Sequence, residues 1–446
     1  MQMYAIPLMT FFFVISSYVK TRRVFNPVGI LCFWWGFWLY VSNFSLAGLY
    51  VPSFYTQFLY MLMLTAMVFG CLCVPSVRRV VWDETRGQRI LGRWNLMRIL
   101  LLAVSPIVVF YFKKALGLLS MDTVGSAYRN EAFGAGDSIL FGAGYAQPLY
   151  HAFVIPIVFM SFIAGVVFYN VYRQRLLLWW TVLLLCMDAV MMLGRVSFYI
   201  MFSMMLFGAL FHKQGLRLNR NHSRQKFDKS KRWGVSLGLA VGLIVLTVLV
   251  SNLRGIKSED ADLRTTIMEI VVNYHTGGFV MFDSERRDPR SLLNSKMTYG
   301  RGLLGALDTL TVWGIRRFDK SIRDVSGEIG EYLHDYRVLG QNQGIPVLMN
   351  AFATILYPLY FDGREIMVFI VPWFYGYWLT LLYRRWIQNE DIHSFMLVLL
   401  LLYVGIFSIF HSFAADFRFW PVLLGFITLH KVVWRYNHQG ILLPKN

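Results

Sequence analysis

Apolar runs of about twenty residues recur along the chain between short polar breaks, and each is long enough to carry an α-helix across a hydrocarbon layer of roughly 30 Å. They predict eleven spans, at about 3–19, 27–47, 56–76, 97–117, 148–170, 176–193, 196–212, 233–252, 365–383, 393–410 and 418–434. A backbone in lipid has no water to bond, so such spans close their hydrogen bonds internally as helices. The expected fold is an all-α integral membrane protein of about eleven transmembrane helices. Two intervals break the pattern: a glycine-rich stretch at 119–147 and a much longer one at 253–364. Within the second, 263–274 and 302–318 place apolar residues three and four apart, as helices lying on a membrane surface do. The expected organisation is an eight-span bundle over 1–252, a long loop over 253–364 and a three-span bundle over 365–446.

Composition removes the soluble alternatives: 57% of the residues are hydrophobic and 15% charged. The formal net charge of +18 raises nucleic acid as a partner, but its distribution answers that. Basic clusters follow every second span boundary, from Lys20, Arg22 and Arg23 through Arg384 and Arg385 to Lys431, Arg435 and Lys445. Those segments hold 24 basic residues against five acidic ones, and the rest of the chain is close to neutral. The positive-inside rule therefore places them in the cytoplasm, with an external N-terminus, a cytoplasmic C-terminus and no nucleic-acid partner. Residues 3–19 lack a cleavage site and precede their basic cluster, so they read as a span and not as a secretion signal. The same charge pattern makes 344–361, apolar and interrupted by Pro346 and Pro358, re-entrant or interfacial; a twelfth crossing would turn Arg384 and Arg385 outward. Cys32, Cys71, Cys73 and Cys186 all fall within spans, as packing residues do.

Both irregular intervals are then external, and that is where chemistry is sought. Arg129, Arg195, Arg254, Arg364 and Arg418 fall at one outer level, with Arg301 as a sixth. A planar guanidinium holds phosphate oxygens in pairs and stays charged at any accessible pH, which suits a lipid-linked pyrophosphate. The alternative is snorkelling of each arginine to the headgroups. His411, His275, Glu131, Asp416 and Asp362 are external groups able to take a proton from a sugar hydroxyl. Tyr128, Tyr274 and Tyr299, with Trp313, Tyr332 and Tyr336, are candidates to stack on sugars or to belong to an interfacial aromatic belt. Asp188 stands out as a charge inside a span. No Walker loop, zinc-ligand spacing or nucleophile elbow occurs, so no cofactor or metal is expected.

The arrangement resembles the bacterial O-antigen polymerases. The likeness lies in Asn26-Pro27 opening a span, Tyr128-Arg129 in an external loop, Gly194-Arg195 at a tight outer turn, and Tyr360-Phe361-Asp362-Gly363 leading into a span that carries Gly376. The commoner Asp-Phe-Gly of that family is here Asp362-Gly363. The resemblance implies a GT-C-like fold in the bacterial inner membrane that moves a growing glycan from undecaprenyl pyrophosphate to the non-reducing end of a lipid-linked repeat unit. It implies that Arg129, Arg195 and Arg254 bind the pyrophosphate and that Arg418 or Arg364 holds the second lipid. It places His411 ahead of His275, Glu131 and Asp416 as the base, and implies a chain-length regulator and a flippase as partners. The rival readings are an O-antigen ligase, which passes the glycan to lipid A core, and a flippase for the lipid-linked oligosaccharide.

Overall fold

A computed structural model describes residues 2–46, 48–76, 95–119, 128, 139–142, 146–194, 196–215, 268–316, 318–319, 321–342, 344–350 and 353–428. The fold is mostly helical with little sheet, and five of the described helices are long and apolar enough to cross a membrane. The chain forms two compact units: residues 1–78, 260–385 and 401–420 make the first, and 79–259, 386–400 and 421–446 the second.

In the first unit, α1 (Gln2–Thr21) packs on α2 (Pro27–Val41), and α3 (Phe54–Cys73) packs on both. The Asn26-Pro27 signal is a helix start in fact. The buried Asn26 side chain accepts from the Gly29 amide at 2.8 Å and donates to the Ser17 hydroxyl, with Pro27 in the first turn where its missing N–H costs nothing. α1 leaves Tyr4, Leu8, Phe11 and Phe12 more than half exposed, a continuous apolar face that a helix turns to lipid and not to water.

In the second unit, α4 (Asn95–Leu119), α5 (Ala146–Tyr172), α6 (Leu176–Met191) and α7 (Val196–Gly215) pack together around α5, which is apolar on every side and almost wholly buried. Gly165 of α5 lets α6 approach until a Cβ there would stand 2.9 Å from the Leu178 backbone, the small-residue contact expected between membrane helices. α5 opens on a π-helical turn, Tyr150–Val154, and the Tyr150 hydroxyl donates to the buried Asp188 carboxylate at 3.1 Å. The mid-span charge is thus held inside protein and kept from lipid.

From residue 268 on, the long interval forms short elements in the first unit and is less uniform than its spacing predicts. A π-helical turn, Met268–Asn273, runs into α8 (Tyr274–Arg287); α9 (Leu292–Ser295), α10 (Gly305–Ile315) and α11 (Val325–His334) follow. The all-α expectation needs one correction, an antiparallel hairpin of β1 (Arg337–Asn342) and β2 (Ile345–Met349). Gly344, at φ +85°, turns the chain, and Pro346 costs the two-stranded ladder little because β2, which carries it, is an edge strand. Residues 344–361 accordingly form β2 and the opening of α12 (Leu356–Asn389), and no continuous crossing helix. α12 breaks at Gly363 and Arg364, and α13 (Ile392–Phe407) follows it.

α3 and α12 run side by side in the same direction. The Tyr55 hydroxyl bonds Glu365 near their starts, and Arg384 reaches the Pro75 carbonyl at 3.2 Å near their ends. Between those points a Cβ on Gly70 would stand 1.9 Å from the Trp373 carbonyl oxygen, and one on Gly376 would stand 1.9 Å from that of Met67. Lys20 reaches the Leu72 carbonyl at 2.7 Å, so basic groups from α1 and α12 gather at one end of this unit while the hairpin and α9–α11 lie toward the other.

Candidate functional site

The last turn of α8 reads Asp-Ser-Glu-Arg-Arg after an apolar run, and the helix buries both acidic residues of it. The Asp283 carboxylate takes the Thr56 hydroxyl at 2.6 Å, the Ser53 hydroxyl, and the Arg287 guanidinium at 2.7 Å. Glu285 receives Arg337 Nε at 2.6 Å on one oxygen and the Tyr332 hydroxyl at 2.8 Å on the other. Burial pushes its carboxyl up, against the lowering pull of Tyr332 and Arg337. A buried carboxylate is tolerable on such terms, since each oxygen keeps a strong donor.

Three guanidiniums of this region lie over tyrosine rings. Arg286 stands 4.7 Å above Tyr55, Arg337 4.4 Å above Tyr332, and Arg364 5.0 Å above Tyr360, all within cation–π range. The Nε of Arg286 and an Nη of Arg337 are buried without a hydrogen-bond partner. Arg364 occupies φ +54°, ψ −144°, a region costing a non-glycine residue about 1–3 kcal/mol. Its guanidinium donates to the carbonyls of Leu293, Asn294 and Lys296, which ties the α9 segment to the break in α12. Two residues earlier, Asp362 accepts the Thr298 hydroxyl and the Gly302 and Leu303 amides, the last two at 2.8 Å. The loop that carries Tyr299 and Arg301 is therefore wrapped around a buried carboxylate.

Most sequence-derived candidates that fall on described residues lie in this unit. Arg301 is paired with Asp308 at 2.7 Å and donates to the Arg323 carbonyl. Asp416 caps its turn by accepting the Arg418 amide at 2.8 Å. His411 is exposed, edge-on to Phe413. His275 stacks on Trp38 at 4.0 Å, meets Trp34 and Phe410 edge-on, and bonds the Val271 carbonyl through Nδ1. Burial pushes its imidazole down to about 4, with the Val271 bond opposing, which makes it a weak base near neutral pH. Tyr274 adjoins it, and Tyr299 is 81% exposed at φ +50°.

Tyr128, in the second unit, is buried with its hydroxyl on the Met191 carbonyl at 2.8 Å, so its ring offers no open face to a sugar. Arg129, Arg195, Arg254 and Glu131 lie outside the described residues. Sequence reasoning missed Asp283, Glu285, Arg286 and Arg337. Their signal was available as an acidic and basic run closing an apolar segment inside a long external interval. Among the described residues, no group of three His, Cys, Asp or Glu side chains is set to hold a metal ion.

No protein-family model, curated protein or solved structure matches this chain.

Proposed function

We propose that this is a GT-C-like glycosyltransferase of the bacterial inner membrane, with eleven spans, that polymerises a surface polysaccharide such as O-antigen. It takes the growing glycan from undecaprenyl pyrophosphate and places it on the non-reducing end of a lipid-linked repeat unit at the outer face. The observation that carries this reading is the set of three arginine–tyrosine stacks between α3, α8, α11 and the break in α12. Guanidinium groups suit phosphate oxygens, tyrosine faces suit sugars, and the apolar helices beneath suit a polyprenyl tail. The span count is supported by the parallel course of α3 and α12, which requires an odd number of crossings between them. Five predicted spans, with 344–361 not crossing, meet that requirement.

The energy of transfer comes from the substrate. The bond from the anomeric carbon to pyrophosphate breaks as the new glycosidic bond forms, and arginines stabilise the departing charge. The purified protein in lipid, given undecaprenyl-pyrophosphate-linked repeat units alone, is expected to yield a size ladder without ATP or nucleotide sugar. Arg195→Ala is expected to stay in the membrane and make no long chains. Units that stay single under conditions where a polymerase control extends them overturn the reading, and transfer seen only on adding lipid A core identifies a ligase instead.

A further inference from the structure

The turn from Thr298 to Arg301 is closed by the Arg301 amide on the Thr298 carbonyl at 3.1 Å, with Tyr299 at φ +50° and Gly300 at φ +94° between them. Two successive left-handed residues make a type I′ turn, whose first central position favours Asn, Asp or Gly. A tyrosine there is an outlier, because its Cβ crowds its own backbone. Among the described residues nothing offsets that strain: the ring is 81% exposed and meets no other ring, guanidinium or hydrogen-bond partner.

The turn is nonetheless firmly held. Asp362 accepts the Thr298 hydroxyl and the Gly302 and Leu303 amides, the Thr298 amide donates to the Phe361 carbonyl at 3.1 Å, and Trp420 reaches the Leu303 carbonyl at 3.1 Å. Arg301 is tied to Asp308 and to the Arg323 carbonyl. An open aromatic face is thus fixed in place beside the break in α12, where Arg364 stands over Tyr360. Strain kept in a backbone that its surroundings over-determine points to function at that residue. Tyr55, Tyr332 and Tyr360 each carry a guanidinium on one face, and Tyr128 is buried, so Tyr299 differs from all four. A tyrosine of an interfacial belt gains in many orientations near the headgroups and needs no strained backbone. Stacking on one ring does need a fixed plane, since a platform ordered beforehand loses little freedom on binding.

We propose that Tyr299 is a stacking platform for the carbohydrate of the lipid-linked substrate, taking the C–H face of a sugar near the pyrophosphate. The ligand assignment rests on the glycosyltransferase reading and deepens it. No bond forms or breaks at Tyr299; its contribution is to binding.

The test uses the full-length protein in lipid with the repeat-unit substrate of the elongation assay. Tyr299→Asn puts a residue suited to the left-handed region into the turn, so it is expected to fold and to unfold at a higher temperature than the wild type. It is expected to raise the KM for the repeat unit about tenfold with kcat nearly unchanged, the pattern of binding lost alike from substrate and transition state. Tyr299→Phe keeps the ring and is expected to match the wild type in KM. In detergent, nuclear magnetic saturation is expected to pass from the wild type and from Tyr299→Phe to the free repeat-unit oligosaccharide, and not from Tyr299→Asn. No elongation by the wild type overturns the functional reading, and the saturation transfer then decides the carbohydrate site separately. Elongation by Tyr299→Asn with unaltered KM overturns the platform alone, as does equal saturation transfer, or none, from wild type and Tyr299→Asn. A KM raised in lipid with saturation transfer unchanged assigns the ring to the bilayer surface and overturns the platform too.

Discussion

At the scale of single residues, two sites carry consequences that do not depend on the proposed activity. The folded His275 binds its proton less tightly than the ordinary value of 6.5 allows. Between about 4 and 6.5 the unfolded chain therefore holds more protons than the folded one, and stability rises with pH across that window. His275→Gln is expected to flatten that slope in thermal unfolding followed from pH 7 down to 4; an unchanged slope would show that other groups produce it. Asp362 anchors the 298–303 loop by accepting two backbone amides and one hydroxyl. Asp362→Ala strands those amides at a cost of about 1–3 kcal/mol each. It is expected to lower the unfolding midpoint and to open the loop near Arg301 to trypsin, a cut that the wild type resists. Asp362 was visible in the sequence as an available acid, the first residue of the Asp362-Gly363 pattern. That its oxygens would go to backbone donors was not, because nothing in the local sequence announces which distant loop will wrap it.

Among elements, the crossing of α3 and α12 is governed by Gly70 and Gly376, each against a carbonyl of the other helix. Backbone cannot yield as a flexible side chain does, so Gly376→Ala is expected to destabilise by about 1–3 kcal/mol through overpacking. Gly330→Ala, in a helix where the added Cβ meets nothing within 4 Å, is expected to be neutral or mildly stabilising. Equal midpoints for the two variants in detergent would argue against the close crossing. Gly376 was noticed in the sequence only as part of a family-like run; its physical reason is this contact. Among the described residues, helix positions were the most legible feature, since a run of apolar residues needs no partner to declare itself; the span expected at 233–252 lies outside the described residues. The hairpin was hidden because its strands are short, polar at one end and paired through a single turn. Glu285 and Arg337 were hidden for a related reason: their meaning lies in a pairing across 52 positions that charge periodicity does not report.

At the scale of the whole molecule, the chain interleaves its two units, because α12 and α13 each begin in one and end in the other. The sequence suggested consecutive blocks, which is how hydropathy divides a chain, whereas packing follows contact and not order. The same interleaving governs timing. Residues 48–50 form a short bridge with β1 through Leu49 and Gly340, reinforced by Tyr50 donating to the Leu339 carbonyl at 2.9 Å and Gln341 donating to that of Gly48. The partners are about 290 residues apart. At roughly 5–20 residues per second of synthesis, the first strip of backbone waits about 15–60 s for its mate. During that interval the connection between α2 and α3 is an open edge on the ribosome-bound chain. A nascent protein arrested before Arg337 therefore keeps a protease-sensitive seam that the finished one has closed.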